Sequence, residues 1–443
     1  MTLFEKSPIH DKTHAPSYYA GSQRDQKPFP TLEENIRVDV CIVGGGFSGV
    51  STALELSERG FKVALLEAQR IGWGATGRNG GQIIGGYGEA LSKGSSAFAK
   101  KYGSQAAQSI WGMGIECVDI IRERVEKYNI DCDLKWGYFD AAMKPREMRD
   151  LEQVQQEFED NKYPHKMTLV DQAGMADIMG TERYIGGMIN EGYGHCQVLD
   201  LCKGEARVAE TLGAQIFEQS AATNIEYGKK PTVHTAKGSV SADFVVLCGN
   251  AYTSQLTPKL VPKLSKYILP ASSYVMATEP LSDELAQDVM RRDYAVCDQR
   301  TALDYFRLSA DNRMLFGGMA NYSARDPSSI QGALRPKMER VFPQLKGVKI
   351  DYEWGGHMGI GLNRVPQLGR LDDNVFYVQA YSGHGVAPTH MSGRILAELI
   401  SNQAERFDLM AKVSHIPFPG GRLFRQPVLA LGMLYYKILD EIR

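Results

Sequence analysis

The feature that most constrains the fold of this sequence is a glycine-rich turn between an apolar strand and a helix. Residues 38–43 are rich in β-branched side chains, which is typical of a short buried parallel strand. The motif GGGFSG follows at 44–49, and apolar residues then recur at helical spacing from 47 to 54 until Gly60. A strand, a G-x-G-x-x-G turn and a helix in this order predict the start of a Rossmann-type β-α-β unit.

An acidic residue at the tip of the next predicted strand completes this unit. Residues 61–66 form the strand, and Glu67 follows it. Gly44 permits the tight turn, Gly46 lets the backbone approach a pyrophosphate, and Gly49 allows the helix to pack closely on the strand. Glu67 can accept hydrogen bonds from both ribose hydroxyls of an adenosine and would repel a 2′-phosphate. The pattern therefore predicts dinucleotide binding and disfavours NADP.

The charge balance argues against nucleic acid as a partner. The chain has 50 Lys and Arg residues against 52 Asp and Glu residues among its 443 residues. No large field of one sign is available to attract a polyanion. The first thirty residues contain no apolar run of the secretory type, so we expect a cytoplasmic protein.

The cysteines favour buried free thiols over a disulfide or metal framework. Their number is odd and none of them are spaced Cys-x-x-Cys, so we expect no metal site. They are Cys41, Cys117, Cys132, Cys196, Cys202, Cys248 and Cys297. Near the other end, residues 428–436 are nine apolar or aromatic residues in a row. A membrane-spanning helix needs about 20, so we expect a C-terminal helix that packs on the body, with weak membrane contact as the alternative.

Further strands of the nucleotide-binding type lie far from the first one in sequence. Apolar runs at 241–248 and 374–378 predict two of them, and the second leads into the turn at 382–385. A helical pattern follows that turn from 391 to 399.

Segments with other patterns separate these strands. Helical spacing at 110–125 and 148–158, and a hairpin of strands at 304–309 and 313–316, indicate a second domain inserted into the first.

A second glycine-dense segment favours FAD over NAD. Residues 71–83 read IGWGATGRNGGQI and come soon after Glu67. Their backbone N–H groups can follow a long cofactor beyond its pyrophosphate, which a simple NAD dehydrogenase does not require. A flexible surface loop is the alternative, against which Trp73 and the position beside the first turn argue.

The predicted fold is therefore mixed α/β, a Rossmann-type FAD-binding domain with an inserted antiparallel-sheet substrate domain. The expected boundaries are 1–36 for an N-terminal extension, 37–90, 165–260 and 345–410 for the FAD-binding domain, 91–164 and 261–344 for the substrate domain, and 411–443 for a C-terminal helical tail.

With these motifs the chain resembles the D-amino-acid-oxidase-like FAD-dependent oxidoreductases. Within them it is most similar to the bacterial gamma-glutamylputrescine oxidoreductases and gamma-glutamylpolyamine oxidases. The resemblance covers nearly the whole chain, and it rests on the segments SYYA at 17–20, VCIVGGGFSG at 40–49, GWGATGRNGGQ at 72–82, YSGHGV at 381–386 and the tail at 419–436.

The resemblance implies a set of cofactor-binding residues. The turn at 382–385 and the helix after it would lie against the flavin pyrimidine ring, where a helix N-terminus favours the negative charge of the reduced state. The candidates are Gly44, Gly46, Phe47, Ser48, Gly49, Glu67, Ala68, Trp73, Gly74, Ala75, Thr76, Arg78, Asn79, Gly80, Gly81, Gln82, Ala222, Gly249, Gly383, His384, Gly385 and Val386.

The segment 354–366 departs from the family in two respects. Members with a covalently bound flavin have a cysteine there, and this chain has none, so we expect non-covalent FAD. Members that act on free α-amino acids often place an arginine there to bind the α-carboxylate. Arg364 falls late, in the turn, which favours a structural role and an amine substrate whose carboxylate is remote from the oxidised carbon.

Four further residues are candidates for the substrate side. His384 and His357 are candidate catalytic residues, although each can equally be a structural histidine with satisfied hydrogen bonds. His357 and Tyr305 are candidate substrate-binding residues. Tyr305 and Arg307 lie on a predicted strand of the inserted domain, where alternating polar residues on a half-buried sheet also explain them.

The resemblance favours a primary-amine oxidase. The hypothesis is hydride transfer from the amine-bearing carbon to flavin N5, followed by hydrolysis of the imine to aldehyde and ammonia, with oxygen reduced to hydrogen peroxide. A dry apolar pocket would favour the neutral amine by desolvation. Three alternatives remain: a sarcosine-like demethylating oxidase, a quinone-linked amine dehydrogenase, and a non-catalytic nucleotide-binding protein.

Overall fold

The first glycine turn follows the end of a central strand in a six-stranded sheet. The computed structural model describes residues 13–87, 95–300, 303–321 and 327–419. The strands are β1 Asn35–Arg37, β2 Val40–Val43, β3 Val63–Leu66, β4 Gln82–Ile83, β5 Lys135–Ala142, β6 Met167–Val170, β7 Gly186–His195, β8 Gln215–Phe217, β9 Asn224–Glu226, β10 Thr232–His234, β11 Ser239–Ser241, β12 Phe244–Leu247, β13 Leu269–Thr278, β14 Ala295–Asp298, β15 Tyr305–Leu308, β16 Met314–Asn321, β17 Ile350–Ile360, β18 Gln367–Asp372 and β19 Val375–Gln379.

Eleven α-helices lie in the described part of the chain. They are α1 Tyr18–Ser22, α2 Phe47–Glu58, α3 Ser95–Tyr102, α4 Ser104–Tyr128, α5 Pro145–Asp160, α6 Val198–Thr211, α7 Asn250–Leu256, α8 Asp283–Val289, α9 Ile330–Val341, α10 Val386–Ile400 and α11 Glu405–Ala411.

The six-stranded sheet has the order β18-β19-β12-β2-β3-β8. Its strands β19, β12, β2, β3 and β8 are parallel, and β18 is antiparallel to β19. Strand β2 is entirely apolar and lies between two parallel neighbours, as a buried central strand requires. The predicted β-α-β unit is therefore confirmed, and Gly60, with a φ of 83°, follows the end of α2.

A nine-stranded sheet forms the second layer. Its order is β17-β13-β16-β15-β14-β5-β7-β4, and β6 pairs with β7. The predicted hairpin is confirmed as β15 and β16, which pair in antiparallel register. The sheet is mixed rather than purely antiparallel, because β14 runs parallel to β5. The observed fold class is thus a mixed α/β architecture with two large sheets. A third, four-stranded sheet of order β1-β11-β10-β9 packs beside the six-stranded sheet.

The strand predicted at 241–248 is confirmed as β12, and only its first residue, Ser241, belongs to β11 in the four-stranded sheet. Ala242 and Asp243 connect the two strands, with backbone hydrogen bonds to Pro231 and Asp39.

Three strands lie in a different sheet from the one that the expected boundaries imply. Strands β6, β7 and β17 pair within the nine-stranded sheet, although the expected boundaries grouped residues 165–260 and 345–410 with the other one. Apolar alternation does not reveal which sheet receives a strand.

Cysteine burial agrees with the sequence prediction. All seven cysteines are free, and all but the half-buried Cys297 are fully buried. No helix in the described part of the chain is long and apolar enough to cross a membrane. The predicted tail helix at 428–436 lies outside the described residues, as do residues 1–12 of the predicted N-terminal extension.

Four helices meet around a buried group of charges, which we call the charge cluster: Glu55 of α2, Arg124 of α4, Glu205 of α6 and His390 of α10. Arg124 Nη1 donates to Glu205 Oε1 at 2.8 Å and Nη2 donates to Glu55 Oε1 at 3.0 Å. His390 Nε2 lies 3.2 Å from Glu205 Oε2, and both side chains are fully buried. Because buried charges are costly unless they are paired, these contacts fix the four helices relative to one another.

The charge cluster predicts a specific acid sensitivity. Burial opposes ionisation of Glu205, but the charges of His390 and Arg124 outweigh it and lower the pKa of this carboxyl to about 2. A lowered pKa gives stability that is present above the unfolded value of about 4.5 and is lost as the pH falls toward 2. We expect the advantage of the parent over Glu205→Gln in unfolding free energy to shrink by about 1.4 kcal/mol per pH unit below 4.5.

Urea unfolding of the two proteins between pH 7 and pH 3 measures this difference. Taking the difference in unfolding free energy between the two proteins removes the contribution of the carboxylates that titrate in both. A difference that stays constant over this range would contradict the assignment.

Candidate dinucleotide-binding and active site

The turn after β2 is pressed against the turn after β12. Gly44 has a φ of 112°, which L-residues with a side chain rarely adopt. A Cβ on Gly44 would lie 2.9 Å from the carbonyl carbon of Cys248 and from the nitrogen of Gly249. Gly249 precedes α7, so two helices begin beside each other at the carboxyl edge of the sheet. This is the edge at which open α/β sheets bind ligands.

The N-terminus of α2 presents backbone N–H groups to this crevice. Gly46 is the N-cap and supplies no side-chain cap to the helix. A Cβ on Gly46 would meet only Thr76 Oγ1, at 3.0 Å, whereas a Cβ on Gly49 would lie 1.9 Å from the Gly44 oxygen. Gly46 therefore borders open space and Gly49 is packed tightly against the turn. Exposed N–H groups and the helix dipole make such an end suited to a phosphate.

Glu67 lies beside the same turn. Its carboxylate accepts hydrogen bonds from the Gly45 N–H at 2.6 Å and from the Gln69 N–H at 2.8 Å. Burial raises the pKa of Glu67 to about 7, against these backbone hydrogen bonds, and the nearby charge of Glu218 adds to the rise. Each carboxylate oxygen keeps a second lone pair when ionised, so Glu67 can still accept from two sugar hydroxyls.

Ala222 lies near the same acid. It is buried, and two residues before it the Ser220 N–H donates to the Glu67 carbonyl oxygen at 2.8 Å. Ala68 directly follows Glu67 in sequence. The structure thus brings three of the predicted adenosine-side residues to one place.

The glycine-dense loop at 71–83 folds over the start of α2. A short 3₁₀ turn, Ala75–Arg78, follows Gly74 and places Thr76 at the helix end, where its Oγ1 accepts from the Phe47 N–H at 3.1 Å. This contact explains why the loop sequence and the first glycine turn occur together.

Several side chains of the loop are occupied in holding its shape. Arg78 Nε donates to the Trp73 oxygen at 2.9 Å, and the guanidinium lies 4.4 Å from the Trp73 ring centroid. The indole of Trp73 donates to the Thr13 oxygen at 2.7 Å. Asn79 donates to the oxygen of Thr76 at 2.8 Å and accepts from the Gly81 N–H at 2.8 Å. These contacts hold the loop in one conformation.

The end of the loop meets the nine-stranded sheet. A Cβ on Gly80 would lie 2.5 Å from the Tyr305 ring, and one on Gly81 would lie 2.5 Å from Arg307 Nη2. Arg307 Nε donates to the Gly80 oxygen at 3.0 Å. Gln82 Nε2 donates to the Val296 oxygen at 2.9 Å. Arg307 is thereby a structural anchor of the loop, and Tyr305 lies directly beside the backbone that is predicted to follow the cofactor.

The turn before α10 is strained and fastened at both sides. Ala380, Ser382 and Gly383 have φ values of 66°, 58° and 88°. The Ser382 N–H donates to the Gly359 oxygen at 2.8 Å, and His384 Nε2 lies 2.8 Å from the Gly85 oxygen. Left-handed conformations of non-glycine residues persist where surrounding contacts enforce them, and they concentrate at functional sites.

This strained turn also contacts the first helix. Ser48 Oγ lies 2.8 Å from the hydroxyl of Tyr381. Gly385 is the N-cap of α10, and Val386 begins the helix. The structure therefore brings the predicted phosphate-binding and flavin-facing residues to one crevice edge.

His357 lies on β17, beside α7. Its Nδ1 is 2.9 Å from Gln255 Nε2 and 3.0 Å from Gln255 Oε1, and its backbone N–H donates to the Tyr252 hydroxyl at 3.0 Å. The Tyr252 ring stacks on the imidazole at 5.8 Å between centroids. Arg364 lies in the turn after β17, with a φ of 55°. Sequence reasoning missed Tyr252 and Gln255, because no local pattern marks residues that reach the site from a short helix.

Comparisons with known proteins agree with this geometry. The family model described as FAD dependent oxidoreductase (DAO) matches residues 39–399. The chain is 44% identical over 430 residues to the gamma-glutamylputrescine oxidoreductase of Escherichia coli strain K12, which covers 97% of this chain and 99% of that protein. It is 40% identical over 431 residues to a probable oxidoreductase, OrdL, of Haemophilus influenzae, with 97% and 98% covered.

Solved structures share the fold at lower identity. Glycine oxidase from Geobacillus kaustophilus superposes with a TM-score of 0.68 at 20% identity, covering 86% of this chain and 99% of that one. Glycine oxidase from Bacillus cereus ATCC 14579 gives 0.66 at 21% identity, covering 85% and 98%. With a family match over most of its length and relatives at this identity, the chain belongs to the DAO family of FAD-dependent oxidoreductases.

Proposed function

We propose that this protein is an FAD-dependent amine oxidase that acts on the primary amine of gamma-glutamylputrescine or a related gamma-glutamylated polyamine. The observation that supports this substrate most is the 44% identity over 97% of the chain to a gamma-glutamylputrescine oxidoreductase. The balanced reaction is R–CH₂–NH₂ + O₂ + H₂O → R–CHO + NH₃ + H₂O₂. The C–H and N–H bonds supply the two electrons and two protons that reduce oxygen.

Backbone groups around α2 and the glycine-dense loop would bind the cofactor. The N-terminus of α2 would bind the pyrophosphate, and Glu67 would bind the adenosine ribose. Residues 74–82 and the turn at 382–386 would contact the remainder. No cysteine occurs between 298 and 443, which supports non-covalent binding beside β17 and α10. Bound FAD supplies the acceptor for the two electrons of the amine.

Tyr305 and His357 are the residues that we propose for the substrate side. Burial raises the pKa of Tyr305 above its usual value, so its hydroxyl stays protonated and can donate a hydrogen bond but does not act as a base. Its hydroxyl lies 3.3 Å from Ser273 Oγ on the neighbouring strand. A buried environment beside Tyr305 disfavours a charged ammonium group by desolvation. It therefore favours the neutral amine, which is the form that can be oxidised.

A substrate screen tests the reaction. We expect gamma-glutamylputrescine to release hydrogen peroxide and ammonia in equal amounts, at a kcat/KM at least tenfold above that of free putrescine, spermidine or sarcosine. Formaldehyde from sarcosine, with gamma-glutamylputrescine inert, would contradict the substrate and favour demethylation. Reduced flavin that persists for minutes in air would contradict the use of oxygen.

Gly46→Ala tests the phosphate site. The added methyl group meets only Thr76 Oγ1, so the fold should persist, while the methyl occupies the approach to the pyrophosphate. We expect at least a tenfold loss of FAD affinity, measured by titration of the apoprotein. Gly112→Ala is the matched control. Nothing lies within 4 Å of a Cβ there, so FAD binding should be unchanged and stability should rise by about 0.5–1 kcal/mol. Equal FAD affinity in both variants would refute the site.

The pH dependence of FAD affinity tests Glu67. Its pKa of about 7 implies that the carboxyl is protonated below neutrality in the apoprotein. Ribose hydroxyls are bound best by the carboxylate, so the dissociation constant should rise by up to tenfold per pH unit below 7. We expect Glu67→Gln to bind more weakly at pH 8 and to lose this pH dependence. Parallel profiles for the two proteins would show that Glu67 does not contact the sugar.

A further inference from the structure

His390 joins the beginnings of the two helices that face the crevice. Its ring packs on the ring of Phe47, the first residue of α2, with 5.0 Å between centroids. Its Nδ1 lies 2.7 Å from the carbonyl oxygen of Val386, the first residue of α10. The imidazole is therefore in contact with both helix starts.

The hydrogen-bond partners of His390 define its charge. A carbonyl oxygen only accepts hydrogen bonds, so Nδ1 must donate to Val386. The guanidinium of Arg124 donates to Glu205 Oε1 at 2.8 Å, so Glu205 is an ionised carboxylate and also only accepts. Nε2 must then donate as well, across 3.2 Å. An imidazole that donates from both nitrogens is an imidazolium.

Other charged side chains surround His390. The neighbouring anions are Glu205 of α6, Glu55 of α2 and Glu116 of α4, and the other cations are Arg124 of α4 and Arg394 of α10. The carboxylate of Glu205 lies at Nε2, whereas Nδ1 contacts the Val386 oxygen. The imidazole therefore lies between that carboxylate and the first residue of α10.

Helices α2 and α10 pack closely against each other beside His390. Ser51 Oγ of α2 donates to the His390 oxygen at 3.1 Å. A Cβ on Gly393 would lie 2.8 Å from the carbonyl carbon of Ser51. The N-terminal halves of α2 and α10 are therefore held at one separation by close contact at Ser51 and Gly393, and the bridging imidazolium joins their first residues.

We propose that His390 is a positioning residue for the cofactor: as an imidazolium paired with Glu205, it fixes the first turn of α10 against that of α2 and adds positive charge behind both helix ends. The inference rests on the proposed placement of the flavin beside α10. One bridge would then align the phosphate-binding and flavin-facing ends, and it would favour the reduced, more negative flavin.

The double variant His390→Gln/Glu205→Gln tests this role. Removing both partners takes away one positive and one negative charge together and leaves Arg124 paired with Glu55. We expect FAD affinity to fall about tenfold. In fully loaded protein, the reduction equilibrium should shift up to tenfold toward oxidised flavin, which makes the two-electron midpoint potential more negative by up to about 30 mV.

Arg406→Gln is the control, since Arg406 pairs with Glu398 at the other end of α10 and with Glu116. We expect it to lower thermal stability while it leaves the FAD dissociation constant and the midpoint potential unchanged. A double variant with an unchanged potential, whatever its stability, would overturn the proposal and leave the proposed function intact. A parent protein that binds no flavin would overturn both.

The charge of His390 can also be measured in the unsubstituted protein, so that this test does not depend on whether a variant folds. The chain has nine histidines. Nitrogen-15 spectra of histidine-labelled protein at pH 8 should show one ring with both nitrogens protonated. Neutral rings throughout would also overturn the proposal.

Discussion

The structure depends on the free N-terminus of α2, which points into a crevice at the edge of the six-stranded sheet. Its N–H groups have no partners in the helix, and the helix dipole adds positive potential there. At Gly44 and Gly49 the backbone packs so closely that neither position has room for a side chain. The other parts of the site are arranged around it: Thr76 reaches it from the glycine-dense loop, and Ser48 ties it to Tyr381.

A second helix end, that of α10, is placed by contacts that span the chain. The strained residues Ala380 and Ser382 are fastened to β17 and α7, and His390 joins the helix to α2. Because burying ions costs several kcal/mol each unless they are well paired, the charge cluster is tolerated through the pairing of its members with one another. The cluster thus links alignment of the two helix ends to the overall stability of the helical layer.

Sequence reasoning predicted the elements that local patterns determine. Strands β2, β3 and β19, helices α2 and α10, and the hairpin β15–β16 follow from apolar periodicity and glycine placement. Pairing between distant segments was not predictable in this way. Strands β6, β7 and β17 pair within the nine-stranded sheet, although the expected boundaries grouped them with the six-stranded one. The charge cluster was missed because its four members come from four helices, and each alone resembles a surface residue.

The candidate site shows the same division. The glycine motifs identified the backbone that surrounds the crevice, but the roles of their side chains needed the fold. Arg78 and Asn79 hold the loop together, and Trp73 is bound to the segment before α1. Tyr252 and Gln255 come from a helix with no sequence signature. A motif indicates which backbone approaches a ligand, whereas side-chain partners depend on long-range packing.

The central claim is that the crevice between β2, β12 and α2 binds the diphosphate of FAD. A crystal structure of the protein prepared with FAD tests it most directly. The account predicts diphosphate density at the N–H groups that follow Gly46, with the adenosine sugar on Glu67 and the isoalloxazine beside the turn at 382–386. Density for FAD elsewhere, or a crevice that holds a molecule without an isoalloxazine ring, would contradict it.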